Sequence, residues 1–243
     1  MLAALLVGWA PQAEVAAPVV FSASERRILL ELSPVPEPPR DPSNAYEMDA
    51  RAARLGQALF FDARLSLDGS VSCATCHEPA KSWTDGKALG AGLSGLPRHT
   101  MTLWNVAGSR WFFWDGRKDT LWSQALGPLE DPREHGTSRL AIAHLLADDA
   151  DYRRAYGDVF GALPELAGLP AHGRPVAGEP EHEHQVAWNT LAAEQQSAVT
   201  RAFVNVGKAI AAFERRLVSR AAPFDRFVAG LRDGDADKLA ALT

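Results

Sequence analysis

Residues 72–77 read Ser-Cys-Ala-Thr-Cys-His and contain both cysteines of the 243-residue chain. This is the C-x-x-C-H pattern by which a c-type haem is attached. Two thiols at this spacing reach vinyl groups on one edge of the porphyrin, and the imidazole that follows swings beneath its plane to the iron. The pattern therefore predicts that Cys73 and Cys76 carry a covalent haem c and that His77 is an axial ligand of its iron.

Two other uses of a C-x-x-C pair compete with haem attachment. A redox dithiol of the thioredoxin type opens a helix in a βαβ unit, and no segment of this chain alternates convincingly as a strand. A structural zinc site needs two more ligands, and His182 with His184 is a poor candidate pair. Both alternatives are less favoured than haem, and both stay open on the sequence alone.

The composition is typical of a globular protein. Hydrophobic residues make up 47% of the chain, which is enough for an ordinary core. The net charge is −5, and the sequence has no dense cluster of Lys and Arg. Nucleic-acid-binding proteins carry such a basic cluster on one face, so the sequence argues against that class.

The first 44 residues precede the haem-binding part. Residues 1–20 begin with a short apolar run followed by small residues, like the end of a secretory signal, although they lack its basic start. The run is too short to span a bilayer, which takes about 20 apolar residues. Residues 21–44 form a proline-rich leader, with an extended arm predicted from 33 to 42. The signal-like start and the covalent haem together predict an exported, periplasmic protein.

Apolar residues at helical spacing predict an all-α protein with long loops. The helices are expected within residues 48–62, 119–126, 137–148, 151–160 and 195–218, with caps at Asp119 and Thr137. The last helix carries one continuous apolar stripe, formed by Val199, Phe203, Val206, Ile210, Phe213 and Leu217. Residues 161–186 are rich in Pro, Gly, Glu and His, and we expect a flexible insertion there.

Three segments, at 55–86, 98–136 and 202–230, closely resemble the bacterial di-haem cytochrome c peroxidase family, which includes MauG-type enzymes that complete a tryptophan-derived quinone. The resemblance implies a cytochrome c-like fold with a peroxidatic haem in the N-terminal half and an electron-donating haem in the C-terminal half. It assigns residues 45–160 to the N-terminal haem domain. Residues 187–243 would then be the long helix and a connector toward a second haem domain, which implies a truncated chain.

The resemblance also implies roles for four further residues. Trp114 matches the tryptophan that relays electrons between the two haems, although it could also be an ordinary core aromatic. Glu134 matches the distal acid–base glutamate, whereas its sequence context alone would suit a surface turn. Gln124 and Pro128 match residues of the MauG-type distal pocket, and they equally suit a helix and its terminating turn.

Two positions depart from the family pattern. Many members carry a distal histidine in the loop that here reads Ala-Gly-Leu-Ser at 91–94, so one face of the iron is expected to be open. His99 stands where many relatives have an asparagine that helps to bind calcium, which makes a calcium ion doubtful. The remaining histidines, at positions 135, 144, 172, 182 and 184, are interpreted as surface or structural residues.

The expected function is reduction of hydrogen peroxide to water at the haem of Cys73 and Cys76, with electrons from a cytochrome c or cupredoxin donor. A MauG-type oxidation of a partner protein is the nearest variant. A non-catalytic electron-transfer cytochrome would need a strong second axial ligand, and Met101 is a poor candidate for it. The resemblance also implies a second haem in the full-length protein and a possible homodimer.

Overall fold

The computed structural model describes residues 20–242, and within them the fold is all-α, as predicted. Its only β structure in this range is three isolated bridges. The α-helices are α1 (Ala23–Leu32), α2 (Ala50–Phe61), α3 (Cys73–Cys76), α4 (Leu121–Glu130), α5 (Arg139–Asp148), α6 (Ala150–Phe160), α7 (Glu183–Asn189), α8 (Ala193–Glu214), α9 (Pro223–Asp233) and α10 (Ala236–Leu239). The signal-like segment at 1–20 lies, apart from its last residue, outside the described residues.

The described chain forms two compact units. The larger unit comprises residues 36–219, and the smaller one comprises residues 20–35 together with 220–242. In the smaller unit the Ser33 hydroxyl donates to a carboxylate oxygen of Asp225 at 2.6 Å. The domain limits at 44, 160 and 186 stay predictions.

Helix α1 lies within the predicted proline-rich leader and was not anticipated. Ser22 accepts a hydrogen bond from the backbone N–H of Glu25, whose carboxylate in turn accepts from the backbone N–H of Ser22. This reciprocal capping box satisfies two N–H groups that a helix start leaves without partners. The leader therefore contains a capped helix before its prolines begin.

Helix α8 is the centre of the larger unit, and α2, α4 and α5 pack against it. All six residues of its predicted apolar stripe are buried. The helix runs Ala193–Glu214, so the predicted end at 218 is wrong. Asn105 holds the residues that follow the helix, because its backbone N–H donates to the carbonyl of Leu217 at 2.7 Å and its side chain binds Ser219. None of the helices in the described part is long and apolar enough to cross a membrane.

Helices α2 and α8 cross at close backbone range. A Cβ added at Gly56 would overlap the carbonyl oxygen of Ala209. Ala52, Ala53 and Ala212 form a small-residue cluster at the same contact. The crossing distance therefore depends on the absence of a side chain at position 56.

The predicted helix caps are wrong by one residue each. The N-cap of α4 is Thr120, not Asp119. The N-cap of α5 is Ser138, not Thr137, because the Ser138 hydroxyl accepts from the backbone N–H of Ala141 at 3.2 Å.

Pro128 lies inside α4 rather than in a terminating turn. Its ring nitrogen has no hydrogen, so it cannot donate to the carbonyl of Gln124 one turn earlier. The helix continues to Glu130 nevertheless, and Asp131 caps it by donating to the carbonyl of Gly127 at 3.1 Å.

The segment 161–182 has no helix, and its residues Gly173 and Leu166 contact other parts of the larger unit. Gly173 donates to the Ser138 hydroxyl at 3.0 Å and accepts from the backbone of Leu140 at 3.2 Å. Leu166 is buried in a cluster with Leu140 and Trp188. The flexibility expected for 161–186 stays a prediction, while its last residues already belong to α7.

Glu214, the last residue of α8, is a buried carboxyl group. Its side chain is 4% exposed, and its Oε2 has no hydrogen-bond partner among the described residues. Burial raises the pKa of this carboxyl to about 8, because the charged form loses its hydration.

Substituting Gly56 by alanine is expected to lower the free energy of unfolding by at least about 2 kcal/mol, because the new methyl group forces α2 away from α8. Gly157→Ala is the matched control: Gly157 lies in α6 with open space around its Cα, so its substitution leaves stability unchanged or raises it by up to about 1 kcal/mol. Thermal and urea unfolding measure the stability of both variants. An equal change in the free energy of unfolding in the two variants would contradict the close crossing.

Glu214→Gln is expected to change how stability depends on pH. The folded-state pKa of Glu214, about 8, exceeds its ordinary value of 4.5, so the wild-type protein loses stability as pH rises between these two values. The variant lacks this loss and is more stable than wild type above the folded-state pKa, by a few kcal/mol. Urea unfolding across this pH range tests it, with the exposed Glu194→Gln as the control on the same helix.

Candidate functional site

The C-x-x-C-H sequence forms one helical turn, α3, with His77 as its C-cap. The backbone N–H of His77 donates to the carbonyl of Cys73 at 2.9 Å, which closes the turn. No disulfide joins the two cysteines, and the Sγ of Cys76 lies 3.1 Å from the carbonyl oxygen of Ala91. We call residues 73–77 the attachment turn.

The imidazole of His77 is oriented by a backbone carbonyl. Its Nδ1 lies 3.0 Å from the carbonyl oxygen of Trp83, and because a carbonyl only accepts, Nδ1 carries the hydrogen. This leaves Nε2 as the metal-binding nitrogen. Burial lowers the pKa of His77, which favours the neutral imidazole that a metal requires.

Trp83 presents this carbonyl from an unusual backbone conformation. Ser82 and Trp83 both have positive φ, at 58° and 60°. Such residues cost about 1–3 kcal/mol each and persist where the surroundings hold them. The Trp83 ring is held by edge contacts with Phe60 and Phe213, at 5.8 and 6.1 Å between centroids. Sequence reasoning missed Trp83, since a backbone acceptor leaves no side-chain signature.

A cavity of about 490 Å³ opens beside the attachment turn. Ligand cavities in proteins have volumes of roughly 300–1,000 Å³, so it can hold a large cofactor. Six of the seven predicted site residues line it: Cys76, His77, Trp114, Gln124, Pro128 and Glu134. Cys73 lies on the same helical turn but packs against the hydrophobic core instead.

The donor set and the cavity fit a c-type haem. Burial raises the pKa of Cys76 to about 11, and the pKa of Cys73 lies higher still, for the same reason and because of the nearby Glu214 charge. A redox dithiol needs the opposite shift, toward the thiolate. The described residues contain no cluster of three or more His, Cys, Asp or Glu side chains that could hold a metal ion by themselves.

Glu134 lies in a turn, residues 131–137, that is fastened to the loop at 91–94. Leu93 donates to the carbonyl of Glu134 at 3.1 Å, and Ser94 donates to that of Arg133 at 3.0 Å. A Cβ added at Gly92 would lie 2.6 Å from the Cα of Glu134, so only glycine allows this approach. The loop in which relatives were expected to carry a distal histidine thus supports Glu134 here.

The carboxyl of Glu134 is half-buried, and its pKa lies above the ordinary value. Burial is the main cause, and the negative charge of Asp131 adds to it. The positive charges of Arg117 and Arg133 lower the pKa of Glu134. Arg133, however, is already paired with Asp131 at 2.9 Å. The group is therefore shifted toward the pKa range in which one carboxyl can both accept and return a proton.

Gln124 and Pro128 lie one turn apart on α4, a spacing that puts both on one face of the helix. The buried face of α4 is formed by Leu121, Ala125 and Leu129. Glutamine and proline therefore border the cavity from the edge of this packed helix.

Trp114 is not a core aromatic, because 57% of its surface is exposed. Its neighbour Phe112 is the buried residue of this block. The indole N–H of Trp114 donates to the carbonyl of His99 at 2.7 Å, which fixes the ring at the rim of the cavity. Asp115 pairs with both Arg98 and Arg117 at 2.9 Å and steadies the turn that carries it.

Two of the other histidines bind backbone carbonyls. The Nδ1 of His99 lies 2.7 Å from the carbonyl of Lys87, and the Nε2 of His144 lies 3.0 Å from that of Pro170. His135 is buried, at 3% exposure, directly after Glu134. The one sequence signal that could have identified His135 as a site residue is its position directly after Glu134, the candidate acid–base residue.

Comparison with known proteins identifies one family for this chain. Residues 50–233 match the family described as di-haem cytochrome c peroxidase. The chain is 34% identical, over 81% of its length, to the methylamine utilization protein MauG of Methylorubrum extorquens, of which it covers 45%. It is 31% identical, over 72% of its length, to the cytochrome c551 peroxidase of Pseudomonas aeruginosa, of which it covers 42%.

A solved structure of a MauG-like protein associated with microbial copper homeostasis superposes with a TM-score of 0.58 and 25% identity, over 81% of this chain and 48% of that one. The chain thus spans about half the length of the relatives it matches. Because the family match extends over most of the chain and includes the attachment turn and the Glu134 turn, the chain belongs to the di-haem cytochrome c peroxidase family, whose members bind haem c.

Proposed function

We propose that this chain is the peroxide-reducing part of a di-haem peroxidase, with haem c attached through Cys73 and Cys76 and ligated by His77. The observation that carries the proposal is that Glu134 lines the same cavity as Cys76 and His77. Hydrogen peroxide is the substrate, and two protons and two electrons convert it to two molecules of water.

Glu134 moves the proton in this proposal. In its charged form the carboxylate accepts a proton from one oxygen of the peroxide and delivers it to the other oxygen, which leaves as water. A raised pKa suits this role, because the group must hold the proton briefly and then give it up. The backbone bonds from Leu93 and Ser94 hold the turn during this transfer.

The haem, when bound, supplies the electrophilic metal and the redox equivalents for cleavage of the O–O bond. The protein positions the side chains around the cavity and excludes water from it. His77 is held by the Trp83 carbonyl, and Gln124 and Pro128 line the cavity with Glu134. These contacts do not depend on the identity of the electron donor.

Electrons are proposed to come from a small cytochrome c or cupredoxin, through Trp114 and a second haem in the full-length protein. The exposed indole at the rim of the cavity supports a relay role. Location in the periplasm, a homodimer and a bound calcium ion remain further proposals from the family resemblance. His99, in place of an asparagine, is a poor calcium ligand.

A MauG-type oxidation of a partner protein is the second candidate. It is favoured by the 34% identity to MauG and by the loop at 91–94, which has no histidine and is fastened to the Glu134 turn. Turnover with a reduced cytochrome or cupredoxin indicates the peroxidase, whereas peroxide-driven cross-linking or oxidation of a partner's tryptophans indicates the MauG-type activity. A non-catalytic cytochrome would be inert to peroxide.

Glu134→Gln is expected to slow the reaction of the haem-loaded protein with peroxide by at least about 100-fold, because the amide cannot accept the proton. In the wild-type protein the rate should fall as pH decreases through the pKa of Glu134, which lies above the ordinary 4.5, since the protonated carboxyl is no longer a base. The variant should lack this pH dependence.

Stopped-flow absorption measures the rate constant for peroxide, with the exposed Glu194→Gln as the control. An unchanged rate in Glu134→Gln, with the wild-type pH profile retained, would remove Glu134 from the mechanism.

A further inference from the structure

His135 connects the Glu134 turn to a separate part of the structure. Its Nδ1 lies 3.0 Å from the carbonyl oxygen of Leu65, in the short 3₁₀ helix Ala63–Leu65. Its backbone N–H donates to the carbonyl of Pro128 at 3.1 Å, and its own carbonyl accepts from Leu67 at 2.8 Å. With its side chain almost fully buried, His135 is tied to both α4 and the segment at 65–67.

The hydrogen-bond partners decide the form of this imidazole. A carbonyl oxygen only accepts, so Nδ1 carries the hydrogen that binds Leu65. Burial lowers the pKa of His135, which keeps the ring neutral and leaves Nε2 with a lone pair. That Nε2 lies 4.0 Å from the Sγ of Cys73. The ring therefore spans the space between the Glu134 turn and the attachment turn.

We propose that His135 is a positioning residue for Glu134, acting through its Nδ1–H bond to Leu65. The proposal rests on the acid–base role given to Glu134 above. The Cα atoms of neighbouring residues are 3.8 Å apart, so a shift of His135 displaces Glu134 directly. Catalytic groups must be held within about 0.5 Å, and a displacement of 1 Å can reduce the rate about 100-fold.

The two sides of the Glu134 turn are held in different ways. On one side, the loop at 91–94 binds the backbone of Arg133 and Glu134. On the other side, the His135 side chain supplies the bond to Leu65. A hydrophobic residue of similar size at 135 could fill the space, but it would leave the carbonyl of Leu65 without this donor. The role therefore requires a donor at the Nδ1 position.

Two amide substitutions separate this role from simple filling of space. The side-chain nitrogen of asparagine occupies the branch position of Nδ1, whereas that of glutamine lies one bond further out, near Nε2. His135→Asn should retain the bond to Leu65 and react with peroxide within about threefold of the wild-type rate. His135→Gln and His135→Leu should be slower by about tenfold or more.

Hydrogen exchange provides a readout that does not depend on activity. In the haem-loaded protein, the amides of Asp131, of residues 133–137 and of Leu67 should exchange about tenfold faster in His135→Gln and His135→Leu, and at the wild-type rate in His135→Asn. Equal exchange in all three variants would overturn the proposal, because it would show that the Nδ1 bond does not hold the turn.

A double-mutant cycle then tests the link to Glu134. If His135 acts through Glu134, then His135→Gln should not slow the peroxide reaction further in a Glu134→Gln background. A full additional loss in that background would overturn the proposal. If Glu134→Gln alone has no effect, the proposed function fails, while the exchange pattern still decides whether His135 holds the turn.

Discussion

The packing of α2 and α4 against one helix, α8, is the constraint on which the site depends. Helix α2 leads into the chain segment that ends in the attachment turn, and α4 leads directly into the Glu134 turn. Because both rest on α8, the two sides of the cavity are held by a common support. The close crossing at Gly56 sets the distance between α2 and α8. The distance between α4 and α8 is set at Gly207, where an added Cβ would lie 2.6 Å from the carbonyl oxygen of Trp122.

Backbone carbonyl groups hold three side chains at or near the site. The carbonyl of Trp83 orients His77, that of His99 orients Trp114, and that of Leu65 receives His135. Each of these side chains is thereby held by a group that every residue type carries. Substitution of the acceptor's own side chain would therefore leave the bond intact, provided that the local backbone keeps its path.

The sequence predicts the helical class, the attachment turn and the apolar stripe of α8, because each depends on local spacing. It locates Glu134 and Trp114 only through the family resemblance, since a lone glutamate or tryptophan has no periodic signature. It misses Gly92 and His135, because their roles arise from contacts between segments distant in the chain. It also misses Trp83, because a backbone carbonyl that binds His77 leaves no side-chain signature. The start of α5 differs from expectation because the hydroxyl of Ser138 accepts the capping hydrogen bond. The apolar stripe does not mark the end of α8, because Leu217 is buried beyond the last helical residue, Glu214.

The close approach at Gly92 has an evolutionary consequence. Any side chain at position 92 would require a Cβ where the backbone of Glu134 already lies, so a substitution there would displace the Glu134 turn. Selection is therefore expected to keep glycine at position 92, although a residue without a side chain takes no part in the chemistry itself.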